Sequence, residues 1–425
     1  MQKKTLALFL ALLSLLIFGG AAAPAEDRPW NPDGTISVLE EPKANQPPGD
    51  TVSPARWNLV GTLSVSEEYD DNLFFSDDDQ SDKTEDFVTT VSPGLELSRT
   101  TDRLLLRLIG RLDRRMYLDE TDLNATDQSY LASIRYAVSP RLSLSGQAGY
   151  TKDSSPDRDF ETTGLVLGTT KREQWRYGLS ADYRISEGTS AALSYAYAKD
   201  NEKSDDDDDS ESHTATLLLS GDLGYLIRES KWRLTLGYSQ NDYSDTKDNS
   251  YKLMAGFSKS LSETWSFVVD AGARHTRTRY EETAYEDERD ENDWGFVGNT
   301  ELSWQGEKTG VRFSLSQDFL PASGRETSTN RTSLGASVSH QFSAELSGFV
   351  SGGYHRNRSD NSNDAEDETD EDTFYGRIGA RYAFMRDLGI EASYSYSKTE
   401  YNNDNTDADR NLFMVRIYAR HSFLD

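Results

Sequence analysis

The sequence predicts an all-β fold: a closed, antiparallel, up-and-down transmembrane barrel of about 18 strands. Apolar and polar residues alternate almost without interruption from Trp57 onward, and a period of two is typical of β-strands. Short connections alternate with long acidic ones, as they do in membrane barrels. The tryptophans lie near strand ends, where a membrane meets water. These three observations predict the fold before any motif is considered.

The amino terminus predicts a secretory signal peptide over residues 1–25. Two lysines open the chain, residues 6–18 are mostly apolar, and Ala23-Pro24-Ala25 supplies small residues for cleavage. A membrane-anchor helix is the alternative, but it needs about 20 apolar residues. We therefore expect export through the Sec route. Residues 26–56 contain six prolines and are expected to form a periplasmic arm, with the barrel occupying residues 57–425.

The composition favours strands as the elements that cross the membrane. Mean hydropathy is only -0.72 although the chain holds 22 Tyr, 17 Phe and 7 Trp, because inward-facing residues dilute the lipid-facing ones in a barrel. The net charge of -28 argues against nucleic acid, which requires a basic surface. The absence of cysteine excludes a lipoprotein anchor and disulfides. A soluble, secreted, acidic all-β protein is the alternative that composition leaves open.

Each strand appears as an apolar row that opposes a polar row. In the last of them, residues 409–423, Phe413, Val415 and Ile417 share one face. Arg416 and its neighbours two residues away lie on the other face, so this strand needs lipid on one side and water on the other. Comparable apolar rows are Leu59, Leu63 and Val65; Leu104, Leu106, Leu108 and Leu112; Leu142 and Leu144; Leu193 and Tyr195; Trp232, Leu234 and Leu236; Val311, Phe313, Leu315 and Phe319; Phe374 and Ile378; and Leu388 and Ile390.

The connections between these rows give the strand count. Short turns are predicted near residues 100–102, 139–141, 186–188, 229–231, 261–264, 306–310, 342–344 and 386–387. Long acidic loops are predicted near residues 70–86, 119–127, 153–173, 200–212, 243–249, 281–293, 320–328, 359–372 and 402–409. Residues 164–170 could form a strand, but that would place later acidic loops on both sides of the membrane. One long loop over 153–173 keeps them on the outer side and gives 18 strands.

Aromatic residues at the strand ends predict a girdle at each membrane surface. Amphipathic aromatic rings favour the boundary between hydrocarbon and water, whereas a soluble sandwich would place tryptophan in its core. The predicted girdle consists of Trp57, Trp175, Trp232, Trp265, Trp294 and Trp304. A two-sheet sandwich is also too small for a repeat that continues to the end of the chain.

Charged residues on the polar face predict a water-filled pore, because a barrel of 16–18 strands encloses an aqueous channel. Such a lining could guide hydrated or anionic cargo. Alternatively, the charges pair with one another and stiffen the wall, and the sequence leaves both interpretations open. The predicted lumen-lining residues are Arg107, Arg111, Asp113, Arg115, Arg135, Arg184, Arg233, Asp270, Arg274, Arg312, Arg377, Arg381, Glu391, Arg416 and Arg420.

The sequence shows no constellation typical of catalysis. The five histidines are scattered without metal-ligand spacing, and no thiol exists to serve as nucleophile. We expect a protein that is not an enzyme, with no catalytic residues, no cofactor and no metal site. The acidic loops favour solvated surface segments. A weaker alternative is that divalent cations bridge them to lipopolysaccharide phosphates.

One short motif carries a family resemblance. Residues 67–74 read Glu-Glu-Tyr-Asp-Asp-Asn-Leu-Phe, and with Ser155-Pro156-Asp157-Arg158 and the closing strand around Phe423 they make the chain resemble outer-membrane porins of the β-barrel porin 2 type, found with exopolysaccharide and exosortase loci. The resemblance implies a channel for a secreted polysaccharide in the cell outer membrane. It also implies a periplasmic polysaccharide-export protein as a partner. It supplies no site residues.

These observations predict passive conduction of an exopolysaccharide across the outer membrane. No glycine-rich phosphate-binding loop is present, so the energy would come from other proteins. One alternative is a general diffusion porin for small hydrated or anionic solutes. Another is a structural or adhesion barrel with a closed lumen. Lipid and lipopolysaccharide are expected partners, nucleic acid is not, and the sequence leaves the oligomeric state open.

Overall fold

Eighteen antiparallel strands form one closed sheet in the computed structural model of this chain, as the alternation predicts. The first strand pairs with both the second and the last, which closes the ring. The structure describes residues 56–76, 83–154, 171–202, 209–224, 226–243, 246–280, 289–321, 328–358, 370–403 and 406–424. Within these ranges no helix has the length and apolar character needed to cross a membrane.

The strands are numbered in chain order and each pairs with the next. Their bounds are β1 Arg56–Asp70, β2 Asp86–Thr100, β3 Leu104–Tyr117, β4 Ala125–Ser139, β5 Leu142–Asp153, β6 Arg172–Arg184, β7 Thr189–Glu202, β8 Ser210–Asp222, β9 Ser230–Asp242, β10 Thr246–Ser260, β11 Trp265–Tyr280, β12 Arg289–Gln305, β13 Thr309–Pro321, β14 Ser328–Gln341, β15 Leu346–Arg358, β16 Asp370–Met385, β17 Leu388–Tyr401 and β18 Thr406–Leu424. One 3-10 turn, Thr121–Leu123, lies between β3 and β4.

The predicted turns lie at one end of the barrel and the predicted acidic loops at the other. Two of the acidic loops are shorter than predicted: β10 begins at Thr246, inside the predicted loop 243–249, and β18 begins at Thr406, inside the predicted loop 402–409. β5 pairs directly with β6, so the chain between them joins neighbouring strands of the sheet. Residues 155–170 of the predicted loop over 153–173 lie outside the described ranges. One turn differs from its prediction at 229–231: the connection between β8 and β9 spans residues 223–229. Asp222 accepts a hydrogen bond from the amide of Gly224 at 2.7 Å, and the turn begins there. The turn contains the apolar residues Leu226 and Ile227, which resemble a continuation of the strand in the sequence.

Several predictions concern residues outside the described ranges. These include the signal peptide over 1–25, nearly all of the arm over 26–56, and Ser155-Pro156-Asp157-Arg158. They also include much of the acidic segments 200–212, 281–293 and 359–372.

The register divides the sheet into two faces that stay distinct around the whole ring. Arg107 lies directly opposite Ser133, which in turn lies opposite Gln147. Because directly opposed residues share a face, this polar face can be followed through every strand back to β3. The other face carries large exposed apolar side chains, such as Leu179 at 66% exposure. An apolar outer face and a polar inner face are the arrangement of a barrel in lipid.

All six tryptophans of the predicted girdle lie on the outer face. At the short-turn end, the rings of Trp265 and Trp304 are 6.1 Å apart. At the long-loop end, Trp175 lies 4.4 Å from Tyr150, and Tyr150 lies 6.3 Å from Tyr130. The aromatic side chains therefore form bands near both ends of the strands.

The residues that carry the family resemblance fasten the seam between β1 and β18. Both carboxylate oxygens of Asp71 accept hydrogen bonds from Asn411, at 2.6 Å from its backbone amide and 2.7 Å from its side chain. Asn72 is fully buried and donates to the carbonyls of Ser76 and Asp409, each at 2.9 Å. Its Oδ1 accepts the amide of Ser76 at 2.8 Å. The motif thus has a structural role at the outer end of the closing pair.

Removing the Asn72 side chain should loosen this seam. We expect Asn72→Ala to destabilise the folded barrel by about 2–3 kcal/mol, because buried backbone groups would lose their partners. Urea unfolding of the refolded protein in lipid vesicles measures the change. Phe74→Ala is the control, since Phe74 in the same segment is 38% exposed. Equal unfolding midpoints for Asn72→Ala and the unchanged protein would contradict the role of Asn72.

The face assignment is tested by one substitution at two adjacent positions of β6. Leu179 faces lipid and Ser180 faces the interior, and both lie near the middle of the strand. We expect Leu179→Arg to cost ~2–4 kcal/mol and to reduce assembly, whereas Ser180→Arg should leave assembly nearly unchanged. The shift of folded barrel on unheated electrophoresis gels reports both. Equal losses in the two variants would contradict the assignment.

Candidate functional site

Six hydroxyl side chains lie on the inner face of β1 and β2, mostly near the middle of the two strands. A row across four strands shows their setting: Arg416 lies opposite Ser66, Ser66 opposite Thr90, and Thr90 opposite Arg115. Neighbouring strands are about 4.8 Å apart, so β18 and β3, whose arginines flank the hydroxyls, lie roughly 14 Å apart. We call this surface the hydroxyl strip; its residues are Thr62, Ser64, Ser66, Thr90, Ser92 and Ser98.

One buried carboxylate holds the arginines on the β18 side of the strip. Glu391 has no exposed surface and lies directly opposite Arg381 and Arg416. Its Oε2 is 2.9 Å from Nε of Arg381, and its Oε1 is 3.6 Å from the guanidinium of Arg377. These two guanidiniums also lie over the Phe349 ring, at 5.6 and 5.1 Å. Arg377 and Arg381 share this one carboxylate, so these three side chains together carry a net positive charge.

The arginines on the β3 side are paired one to one. Arg107 binds both oxygens of Glu96, at 2.8 and 3.0 Å. Arg111 lies 2.8 Å from Asp113 and also donates to Ser92 of the hydroxyl strip at 3.4 Å. This side therefore presents fixed donors next to the hydroxyls, with little net charge.

The pairing register places every predicted lumen-lining residue on the inner face. These residues differ in whether an ion pair holds them. Further pairs join Arg115 to Asp127 at 3.2 Å, Arg233 to Asp270 at 3.3 Å, Arg274 to Asp293 at 3.1 Å and Arg312 to Glu301 at 3.4 Å. Within the described ranges, no carboxylate lies within ion-pair distance of Arg135, Arg184 or Arg420. These three arginines lie toward the short-turn end of the barrel. Their role in a pore stays a prediction.

The outer end of β13 and β14 folds inside the barrel. The pairing of β12 with β13 stops at Gly298 and Gln317, although both strands continue. Phe319, expected on the lipid face, instead stacks on inward-facing Arg274 at 4.0 Å. Asn330 accepts a hydrogen bond from the same guanidinium at 2.9 Å. The outward-facing side of this hairpin therefore lies against the inner face of β11.

An ion pair reaches from this hairpin to a strand three places away. Nζ of Lys252 on β10 lies 3.0 Å from Oδ2 of Asp318 on β13. Such a contact requires β13 to pass in front of β11 and β12, so the barrel is narrower here than a regular ring. Arg274, in the same place, is only 2% exposed. This feature could not be predicted from the sequence, because apolar and polar residues alternate regularly through β13.

A second segment, residues 73–75 after β1, also narrows the outer mouth. After β1 the chain turns inward, and Phe75 packs against Ala408, Tyr375 and Tyr401. Leu73 packs against Val88 and Tyr117 on the other side. All of these partners lie on inner-face positions, so residues 73–75 cover part of the inner wall.

Two family models match the sequence. Residues 277–421 match the family described as Putative beta-barrel porin 2, and residues 44–220 match the outer membrane protein beta-barrel domain. These matches confirm the resemblance to outer-membrane β-barrel porins. The motif at 67–74 lies in the second matched range, outside the first. A search of curated proteins finds no match.

Solved outer-membrane barrels resemble the structure at low sequence identity. OccAB4 of Acinetobacter baumannii has a TM-score of 0.43 at 11% identity, with 86% of this chain and 99% of that chain covered. OpdL of Pseudomonas aeruginosa has a TM-score of 0.44 at 12% identity, with coverages of 86% and 99%. The ferric citrate transporter FecA has a TM-score of 0.48 at 9% identity, with coverages of 80% and 60%.

Breaking the pair between Lys252 and Asp318 should release the folded-in hairpin. Both side chains are about one-third exposed, so the pair contributes up to about 1 kcal/mol. We expect Lys252→Met to shift the ratio of wide to narrow states by up to about fivefold. Larger and noisier single-channel conductance in planar bilayers would show this shift.

The matched control for this experiment is Lys247→Met on the same strand. Lys247 lies on the outer face, 2.7 Å from Asp242, and its loss should leave conductance unchanged. Identical conductance traces for Lys252→Met and the unchanged protein would contradict the role of the ion pair.

Proposed function

We propose that this chain, a porin-like β-barrel of the outer membrane, conducts an exopolysaccharide from the periplasm to the cell surface. The observation that carries the proposal is the hydroxyl strip flanked by the arginines of β3 and of β16 and β18. The family resemblance in the sequence supports the same cargo. Export of the chain itself through the Sec route, by the predicted signal peptide, belongs to this proposal.

The strip suits a sugar polymer for a physical reason. A polysaccharide presents hydroxyls at regular intervals, and each can exchange a bond with water for a bond with Thr or Ser at little net cost. Guanidiniums held by carboxylates, such as Arg107 by Glu96, offer fixed donors without much net charge. Many weak and replaceable contacts would let the polymer move without stopping at one tight site.

Three arginines that have no carboxylate partner in the described part of the chain give the short-turn end a role in this proposal. In an outer-membrane barrel the short turns face the periplasm. Arg135, Arg184 and Arg420 therefore lie where cargo would enter, and their charge would attract carboxylate or phosphate substituents on the polymer. A periplasmic polysaccharide-export protein would deliver the polymer to this mouth, because the chain shows no nucleotide-binding motif of its own.

A second candidate function is diffusion of small hydrated or anionic solutes. The observation that favours it is the narrowing of the outer mouth by Phe75 and by the end of the β13–β14 hairpin. A small solute passes a narrow mouth more readily than a polymer does. In the alternative of a structural barrel, the lumen would be fully closed, and the protein would show no conductance in a planar bilayer.

Charge removal at the periplasmic mouth tests the pore lining. We expect the triple variant Arg135→Gln, Arg184→Gln and Arg420→Gln to fold normally, since it breaks no ion pair among the described residues. Its preference for chloride over potassium should fall by about twofold or more, because fewer cations line the entrance. Reversal potentials in planar bilayers under a salt gradient measure this preference.

Arg103→Gln is the matched control for the triple variant. Arg103 lies in the turn between β2 and β3, at the same end of the barrel but outside the lining. An unchanged reversal potential in the triple variant would contradict a pore lined by these arginines.

Gene deletion separates polysaccharide export from solute diffusion. We expect a deletion strain to lose cell-surface polysaccharide and to regain it when the unchanged gene is supplied. Normal surface polysaccharide in the deletion strain would reject export. In that case liposome swelling with sugars of increasing size would test the diffusion porin.

A further inference from the structure

Cationic side chains lie on the outer face of several strands, just beyond the aromatic band at the long-loop end. On five strands an aromatic residue is followed two positions later by a cation, so both side chains face outward. These pairs are Tyr150 with Lys152, Tyr197 with Lys199, His275 with Arg277, Tyr354 with Arg356, and Tyr396 with Lys398. We call these cations and their acidic partners the outer collar. Since aromatic bands mark the membrane boundary, the collar lies at the level of lipid headgroups.

Acids on the neighbouring strands neutralise most of the collar. Lys199 lies 2.8 Å from Glu211, and Arg277 lies 2.7 Å from Asp290. Lys152 and Glu173 are 3.4 Å apart. Such pairs leave little positive charge for a ligand.

Two cations near the collar differ from this pattern. Arg114 faces outward on β3, and Lys171 precedes β6. Throughout the described residues, no carboxylate lies within ion-pair distance of either side chain. Arg114 donates only to the hydroxyl of Thr126, at 3.1 Å. Both cations therefore keep their charge available.

The two cations line one cavity of about 200 Å³ at the outer ends of β3, β4 and β5. Asn124 offers its amide nitrogen there, since its Oδ1 already accepts the backbone amide of Tyr117 at 2.8 Å. Thr126 adds a hydroxyl. The lining residues are Arg114, Asn124, Ala125, Thr126, Asp127, Lys152, Asp153, Ser154 and Lys171.

The two carboxylates of the lining lie on inward-facing positions. Asp127 is engaged by Arg115 at 3.2 Å, and it accepts two hydrogen bonds from Ser154, at 2.7 and 3.0 Å. Asp153 also has a partner. Because Lys152 is held by Glu173, the donors left for a ligand are Arg114, Lys171, Asn124 and Thr126.

We propose that this cavity binds a phosphate group of an outer-leaflet glycolipid. A guanidinium, an ammonium, an amide and a hydroxyl around one cavity form the donor set that recognises phosphate oxygens. The source is lipid because the cavity lies directly beyond the contacting rings of Tyr130, Tyr150 and Trp175, where headgroups are concentrated. The inference rests on the membrane position of the barrel and is independent of what the lumen conducts.

The test compares lipids that differ only in phosphate. The refolded full-length protein in detergent is titrated with bis-phosphorylated lipid A, with dephosphorylated lipid A and with inorganic phosphate, using native mass spectrometry. We expect the phosphorylated lipid to bind at least about tenfold more tightly than the dephosphorylated one. The double variant Arg114→Ala, Lys171→Ala should lose about tenfold or more in affinity for the phosphorylated lipid.

The matched control is Lys199→Ala, Arg277→Ala, which removes two collar cations that are already paired with acids. This control should retain at least about half of the affinity. Equal affinity of the first double variant and the unchanged protein would overturn the proposal. Equal binding of both lipids would overturn it too, as would inorganic phosphate binding without preference for the lipid. If the double variant fails to fold, the single variants Arg114→Gln and Lys171→Gln decide by the same comparison.

Discussion

The closed ring of eighteen paired strands is the constraint on which the structure depends. Every strand satisfies its backbone groups through its two neighbours, so lipid meets no exposed sheet edge where the ring is complete. A slip of one residue between any two strands would turn apolar side chains toward water and charges toward lipid. The seam between β1 and β18 is the pairing that closes the barrel, because it joins the first strand to the last. Asp71 and Asn72 add side-chain hydrogen bonds there that ordinary strand pairing lacks.

The same constraint explains how much of the fold could be predicted from the sequence. Lipid on one side and water on the other impose a strict period of two, so the strand count and the face of each arginine follow from the alternation. The long loop over 153–173 could be assigned because all acidic loops had to share one side. Apolar residues in a turn defeat this logic: Leu226 and Ile227 hid the true position of the connection between β8 and β9.

Contacts across strands could not be predicted, because they depend on stagger and bending. The sequence places Arg377, Arg381 and Arg416 on one face but does not show that Arg377 and Arg381 share Glu391. That sharing requires a particular offset of β16, β17 and β18. The inward fold of β13 could not be predicted either, since Phe319 continues an apolar row of the kind that faces lipid on the other strands. The cavity beside Arg114 also depends on the meeting of three strand ends.

Most of the charged side chains on this barrel form ion pairs within its wall, and the cations that do not are the most informative. Removing one partner of a buried pair such as that of Glu391 would leave a charge uncompensated, at a cost of about 3–5 kcal/mol. A guanidinium that is already held by a carboxylate has little attraction left for a passing anion. Arg135, Arg184 and Arg420 on the inside, and Arg114 and Lys171 on the outside, lack such carboxylates within the described structure. A cation without a protein partner stays hydrated and can exchange its water for an anion. These positions are therefore where we propose that the barrel acts on its surroundings: polymer in the lumen, and lipid around the rim.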